Sequence, residues 1–410
     1  MILIDPPLSA TDAQVALPGS KSISNRLLMI RALSGLDIHF RNLSNSEDTV
    51  LLAKALGAIK GKSSATLNIH HAGTDMCFLT AYLACTKGEW ILTGSERMKQ
   101  RPIGELVDAL KKLGADISYS ENEGFPPLKI KGKKLPGGSI EIDGSISSQF
   151  ISALLLISPD FENGLELTIK GKMVSLPYIN MTVELLKQFG VFISFQGNKI
   201  VTGPSEFTLL NTNVFVESDW SAASYWYSIA ALSEYAKIDL LYLDRESLQA
   251  DCVLPELYNK LGVKTEYIEK GVRLSKKPVS VTEFNYDFTN CPDIAQTVAV
   301  TCLGLGIKAN LTGLKTLKIK ETDRITALKT ELEKFGAEIK VTNDTLILIS
   351  PLQLRTLNSE LLTYNDHRMA MCFAPLAIKS PKLRIEHPEV VEKSYPAFWD
   401  DLEHAGFTLA

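Results

Sequence analysis

Cysteine is scarce and scattered in this chain. Its six cysteines, Cys77, Cys85, Cys252, Cys291, Cys302 and Cys372, include no C-x-x-C pair, which excludes the spacing of common zinc and dithiol redox sites. They read as reduced packing residues of a cytoplasmic protein. An excess of positive charge is also missing: 43 Lys and Arg stand against 47 Asp and Glu, a formal net charge of −4. Neither nucleic acid nor an anionic membrane is therefore expected as a partner, and any anion site has to be local. No long hydrophobic run is present. The longest, 294–307, carries Gln296 and two threonines and is too short to span a bilayer, so it reads as a buried core helix. The opening Met-Ile-Leu-Ile-Asp-Pro-Pro lacks the basic-then-apolar order of a signal peptide. The 410 residues, 45% hydrophobic and 22% charged, are those of an ordinary globular chain of two or three domains at about 150 residues each.

What is there is a repeat. An amphipathic helical stretch ending in apolar–Gly–apolar occurs six times, at Gly57, Gly114, Gly190, Gly262, Gly336 and Gly406. The spacing is about seventy residues, a period long enough to hold a whole supersecondary unit. Glycine just past a helix supplies the left-handed cap from which a strand turns back. Between the copies lie more apolar helical stretches, at 27–33, 78–84, 150–157, 222–232, 294–303 and 369–378, separated by strand-like segments. Six such units suit an α/β protein of two similar lobes of three units each. The lobe junction falls near 215–220: residues 1–20 plus 218–410 form one lobe from both chain ends, and 21–217 form an inserted one.

Basic residues recur where helices begin. They do so at Pro18-Gly19-Ser20-Lys21-Ser22-Ile23-Ser24-Asn25-Arg26, at Arg101-Pro102-Ile103-Gly104 with Pro102 at the first helical position, at Lys320-Glu321-Thr322-Asp323-Arg324 and at Asn365-Asp366-His367-Arg368. A cation in the first turn opposes the helix dipole by about 0.3–1 kcal/mol, and the placement becomes favourable when an anion sits between the cation and the free N–H groups. One such case is a solvated charge. Four of them point to a small polyanionic ligand, a phosphate or carboxylate ester. Ala72-Gly73-Thr74 adds a backbone that an anion can approach closely, and Ser147-Ser148-Gln149 adds hydroxyls and an amide, though a serine before a helix is often only its cap. The Gly19 stretch is not a nucleotide P-loop, because Gly19 is followed by Ser20 and no earlier glycine stands at the required spacing. Glu321 and Asp293 are candidate acids or bases among the cations; Asp293 alone reads equally well as a cap. Asp5, Asp143 and Asp219 read as structural.

These segments resemble the EPSP synthase family of enolpyruvyl transferases. The resemblance runs from about residue 7 to residue 403 and rests on 18–26, on Leu92-Thr93-Gly94 with 97–104, on Asp143-Gly144-Ser145 with 147–150, and on 320–324 and 365–370. It implies two lobes of three βαβαββ-type units with helix N-termini facing a cleft. It implies transfer of the enolpyruvyl group of phosphoenolpyruvate to the 5-hydroxyl of shikimate 3-phosphate, in a cytoplasmic monomer without metal or cofactor. By the same resemblance Lys21 touches both substrates and is counted with the catalytic groups. Ser22, Arg26, Ser147, Ser148, Gln149, Ser175, Tyr178, Asp293, Thr316 and Lys320 hold shikimate 3-phosphate. Gly73, Arg101, Gln149, Arg324, His367, Arg368 and Lys393 hold phosphoenolpyruvate. Asp293 takes the hydroxyl proton and Glu321 protonates the methylene carbon.

The sequence departs from the family pattern at His71, where Asn is usual before Ala-Gly-Thr, at Cys77, where Arg commonly follows Met, and at Thr316, in the place of an Asn. The first two flank the phosphoenolpyruvate side in a family that is the target of glyphosate. A sister class moves enolpyruvyl to UDP-N-acetylglucosamine and commonly carries a loop cysteine; the corresponding stretch 93–101 has none. A binding module that had lost catalysis would lack Lys21, Asp293 or Glu321, and all three are present.

Overall fold

The computed structural model describes residues 1–7, 11–145, 147–208, 212–350 and 360–410. The chain divides into two compact units. A terminal unit comprises Met1–Ser20, Asn45–Glu47 and Glu217–Ala410, and an inserted unit comprises Lys21–Ser44 and Asp48–Val216.

One pattern builds most of both. In the inserted unit, strand Ser64–Asn68, helix Gly73–Cys85, strand Gly88–Thr93 and helix Gly104–Lys112 lead into the hairpin Asp116–Tyr119 and Leu128–Gly132. The first two strands are parallel, as a helical crossover permits. The last strand pairs antiparallel beside the second, so the sheet order is first, second, fourth, third. Alternate residues of Leu128–Gly132 are buried, so one face of this sheet lies on the core. The same order recurs with Gly138–Asp143, Leu165–Lys170, Lys199–Thr202 and Ile193–Gln196. The terminal unit repeats it in the sheet opened by Thr11–Val15 and Ala236–Leu241, and again in the sheet opened by Glu283–Asp287 and Lys308–Thr312. Its third sheet runs Glu360–Leu361, Leu383–Ile385, Ile2–Asp5, Thr408–Leu409, so the N-terminal strand fills the fourth place.

The remaining sheet is smaller. Asn213–Phe215 pairs in parallel with His39–Arg41, and the sheet has only these two strands among the described residues. This corrects one copy of the glycine repeat. Gly114, Gly190, Gly262, Gly336 and Gly406 all have positive φ and turn the chain out of their helices. Gly57 instead lies inside helix Glu47–Ile59 without positive φ, and Gly61 takes the left-handed position. No return hairpin follows that helix, so its end is not set by the glycine that the repeat predicts.

Three helices pack on one another inside each unit: Lys21–Ser34, Gly73–Cys85 and Ser148–Ile157 in one, Trp220–Leu232, Ala295–Leu305 and His367–Phe373 in the other. Their small and apolar residues face the core on nearly every side; in Trp220–Leu232 every residue but Ser221 is buried, as expected of a helix without a polar face. Buried hydroxyls there are spent on nearby oxygens, Thr301 on the Thr297 carbonyl and Ser224 on the Ser221 carbonyl. The helix expected over 369–378 stops at Phe373 and continues as the 3-10 turn Ala374–Ile378, because Pro375 has no N–H to donate. Among the described residues no helix is long and apolar enough to cross a membrane.

The two kinds of glycine should answer differently to a methyl group. Gly57 has open space around it, so Gly57→Ala should stabilise by about 0.5–1 kcal/mol. Gly406 also has room, its nearest neighbour being Pro7 at 3.5 Å, but has φ +95°, so Gly406→Ala should cost about 1–2 kcal/mol. Urea midpoints of the two variants against the parent check both signs.

Candidate active site

In the inserted unit the first helix begins at Lys21, with no acidic residue in its first turn. The Lys21 ammonium pairs with Asp48 at 3.0 Å. One turn on, Arg26 is 3% exposed. Its Nε donates to Thr182 Oγ1 at 2.7 Å, Nη1 to the Ser22 carbonyl at 2.8 Å, and Nη2 to Ser152 Oγ at 3.1 Å and the Tyr178 carbonyl at 3.2 Å. The Phe78 ring covers it at 5.5 Å. Every one of these partners is neutral, and burial pulls the guanidinium down to about 10. A buried cation held by neutral oxygens favours an arriving anion.

Ser147 is a cap: its hydroxyl accepts from Gln149 N–H at 3.3 Å. Gln149 Nε2 donates to Thr74 Oγ1 at 2.9 Å, which ties the start of helix Ser148–Ile157 to the start of helix Gly73–Cys85. Ser148 is buried. Ser175 precedes helix Leu176–Gln188 with φ 54° and ψ 38°, and its side chain makes no cap hydrogen bond. A non-glycine residue in this region stores strain of a kind that clusters at functional sites.

Arg101 departs from its sequence reading. Helix Gly104–Lys112 starts after Ile103 as N-cap, so Pro102 is not its first residue and Arg101 does not cap it. The guanidinium lies over Gly73 instead, where a Cβ would come within 2.6 Å of its central carbon. Glycine is required for that approach. Helix Gly73–Cys85 has no side-chain cap and carries the buried Asp75 in its first turn, so the positive charge of Arg101 and the first N–H groups stands against that carboxylate at the helix start.

The terminal unit gathers the other set. Arg324 opens helix Arg324–Glu333 behind its cap Asp323 and is 2% exposed. Its Nε and Nη2 grip Asp366 at 2.6 and 3.1 Å in a bidentate pair, Nη2 also reaches Glu321 at 2.9 Å, and Nη1 lies 3.5 Å from Asp293. Burial alone would lower this guanidinium, but Asp366 and Glu321 outweigh it and leave the group above its ordinary value. Asp293 sits in the 3-10 turn Pro292–Ile294, one residue before Ile294, the N-cap of the helix that follows. Its carboxylate faces Arg368 at 3.1 Å and Lys320 at 3.7 Å as well as Arg324. Lys393, at the end of turn Pro388–Lys393, pairs with Glu321 at 3.0 Å. His367 is 2% exposed at the start of its helix. Thr316, in turn Lys315–Ile319, has a buried hydroxyl with no hydrogen-bond partner among the described residues. Four cations thus surround three carboxylates, leaving one positive charge in excess.

A family model described as EPSP synthase (3-phosphoshikimate 1-carboxyvinyltransferase) matches residues 57–402. A protein of Bacteroides fragilis named 3-phosphoshikimate 1-carboxyvinyltransferase is 49% identical over 403 residues, 98% of this chain and 97% of its own length. One of the same name from a Sulfurovum strain is 37% identical, covering 97% of each. The chain belongs to the EPSP synthase family. Its fold is also that of a solved EPSP synthase from Acinetobacter baumannii, with a TM-score of 0.80 at 23% identity over 100% of this chain and 99% of that one.

Of the positions where the chain departs from the common EPSP synthase pattern, His71 meets Ser95 Oγ at 2.8 Å through Nδ1, and the buried Cys77 thiol lies 3.9 Å from Gln149 Oε1. Burial pushes that thiol up to about 12, so it stays neutral. Sequence reasoning missed the carboxylates that hold the cations. Asp366 stood inside a quoted motif without a role, and Asp48 carried no signal at all. It also missed Asp251, which is 2% exposed. Burial first, then the nearby Asp293 charge, push the Asp251 carboxyl from 3.8 up to about 7.

That shift has a sign in stability. A carboxyl whose folded pKa is raised binds a proton that the unfolded chain has already lost, so its contribution is full below about 4 and is lost as pH rises to about 7. Asp251→Asn should flatten this fall. Urea midpoints at pH 5 and 7.5 should drop further in the parent than in the variant.

Proposed function

We propose that this chain transfers the enolpyruvyl group of phosphoenolpyruvate to the 5-hydroxyl of shikimate 3-phosphate, giving 5-enolpyruvylshikimate 3-phosphate and phosphate by addition and elimination. The observation that carries the reading is the cluster in which Lys320, Arg324, Arg368 and Lys393 surround Asp293 and Glu321. The reaction needs a base on the attacking hydroxyl and an acid at the methylene carbon. It also needs fixed cations around a carboxylate and a phosphate, placed before the charge develops.

In this reading Arg26, Ser22, Ser147, Ser148, Gln149, Ser175, Tyr178, Thr316 and Lys320 hold shikimate 3-phosphate. Gly73, Arg101, Gln149, Arg324, His367, Arg368 and Lys393 hold phosphoenolpyruvate, and Lys21 serves both. The 5-hydroxyl gives its proton to Asp293 as its oxygen bonds to C2 of phosphoenolpyruvate, while Glu321 delivers a proton to C3. The new methyl then returns a proton and phosphate departs with cleavage of its C–O bond. Glu321 begins in two ion pairs. An incoming anion that takes the donors of Arg324 and Lys393 weakens both pairs and lets the carboxylate pick up its proton. The reading takes the working form to be a monomer, in the cytoplasm, with the two small acids as its partners and no cofactor.

The test is phosphate release from phosphoenolpyruvate, measured with shikimate 3-phosphate and separately with UDP-N-acetylglucosamine. Release with the first alone is expected; release with the second alone would assign the chain to the sister class. Glu321→Gln should still bind both substrates but turn over about a hundredfold or more slower, and undiminished turnover would remove Glu321 from its role. Arg26→Ala should raise KM for shikimate 3-phosphate far more than KM for phosphoenolpyruvate. Equal rises would overturn that half of the assignment.

A further inference from the structure

Asp251 occupies the 3-10 turn Ala250–Val253 of the terminal unit. Its neighbour Gln249 clamps this turn to the start of helix Trp220–Leu232. Trp220 N–H donates to Gln249 Oε1 at 2.9 Å, and Gln249 Nε2 donates to the Ser218 carbonyl at 2.8 Å. The Asp251 carboxylate therefore has a fixed place beside that helix. Its Oδ2 accepts the Ser221 hydroxyl proton, and its Oδ1 is buried with no hydrogen-bond partner among the described residues. Ser221 Oγ lies 3.4 Å from Arg368 Nη2, and the same nitrogen lies 3.1 Å from Asp293. The Tyr225 hydroxyl meets the other terminal nitrogen at 3.5 Å. A hydroxyl has one proton. With that proton committed to Asp251, Ser221 can only accept from Arg368. The titratable groups around Asp251 are Asp219, Asp293 and Arg368, with Cys252 and Cys291 beside it.

We propose that Asp251 is a positioning residue which, acting through the Ser221 hydroxyl, fixes the orientation of the Arg368 guanidinium for phosphoenolpyruvate. It rests on the enolpyruvyl-transfer reading, in which Arg368 binds that substrate, and it adds the two residues behind the cation. Burying a carboxylate with one oxygen unsatisfied is costly, and the orientation of Arg368 is what that cost supports.

Steady-state kinetics of the full chain decide it. Asp251→Ala and Ser221→Ala should each raise KM for phosphoenolpyruvate by about tenfold or more, with KM for shikimate 3-phosphate held within about twofold. Asp251→Asn can still accept the serine proton and should restore most of the loss. The double variant Asp251→Ala/Ser221→Ala should be no worse than either single one, because the two act in series. If Asp251→Ala does not fold, Ser221→Ala carries the same split, and Asp251→Asn still has to stay close to the parent. An active parent whose alanine variants keep their KM for phosphoenolpyruvate, raise both KM values alike, or add in the double variant overturns this inference alone. A parent that releases no phosphate with shikimate 3-phosphate overturns the reading beneath it as well.

Discussion

The bidentate pair between Arg324 and Asp366 is the contact on which the terminal unit's site depends. Both side chains are all but inaccessible, at 2% and 0% exposure, and neither tolerates such burial alone. Asp366 does a second job in the same place. Its Oδ1 also accepts from Arg368 N–H at 2.9 Å, as the cap of helix His367–Phe373. One carboxylate thus fixes the guanidinium of one cation and the backbone of another. Glu321 and Asp293 then occupy what is left of the Arg324 fork, and through them Lys393, Lys320 and Arg368 are held in place. Removing Asp366 would leave the most buried cation without its strongest partner and the neighbouring helix without its cap.

The inserted unit keeps its buried cation differently. Arg26 has no carboxylate within ion-pair distance among the described residues, and four neutral oxygens and a ring take that place. The cost of desolvation is met by hydrogen bonds alone, and the positive charge is left uncompensated. On the proposed assignment an anion arriving in the terminal unit exchanges places with carboxylates already present, whereas beside Arg26 it adds to bonds already made. The two arrangements suit different tasks on the proposed assignment: a firm hold on a phosphorylated cyclohexene carboxylic acid, and a set of ion pairs that rearranges as the reaction proceeds.

Much of the fold was legible in the sequence because the repeat is enforced by backbone geometry. A return hairpin after a helix needs a residue that tolerates positive φ, and Gly114, Gly190, Gly262, Gly336 and Gly406 supply it. Gly57 looked the same in sequence, since an apolar–Gly–apolar triplet does not reveal whether a hairpin follows. Arg101 reads in sequence as a cation at the start of the helix that follows it, and the structure places it at the start of another. Its own segment leads into helix Gly104–Lys112, while its guanidinium reaches Gly73, twenty-eight positions earlier, and only tertiary structure links the two. Asp48, Asp251 and Ser221 were invisible for a related reason. A carboxylate that backs a cation from a distant segment has no spacing to betray it, and Ser221 resembles any helix-start serine until its single proton is followed to Asp251.

The contrast between Asp293 and Glu321 follows from how their cations are arranged. Three cations face Asp293 at 3.1 to 3.7 Å, the carboxylate that the proposed assignment makes the base. Glu321 meets two cations at 2.9 and 3.0 Å, one on each oxygen, and is the group that the proposed assignment makes the acid. A carboxylate meant to remain a base profits from several looser partners, because the loss of one changes little. A carboxylate meant to become an acid profits from few tight partners that a substrate can take away. On the proposed assignment the same four cations surround both carboxylates, and what separates their roles is which of those cations an anionic substrate takes up.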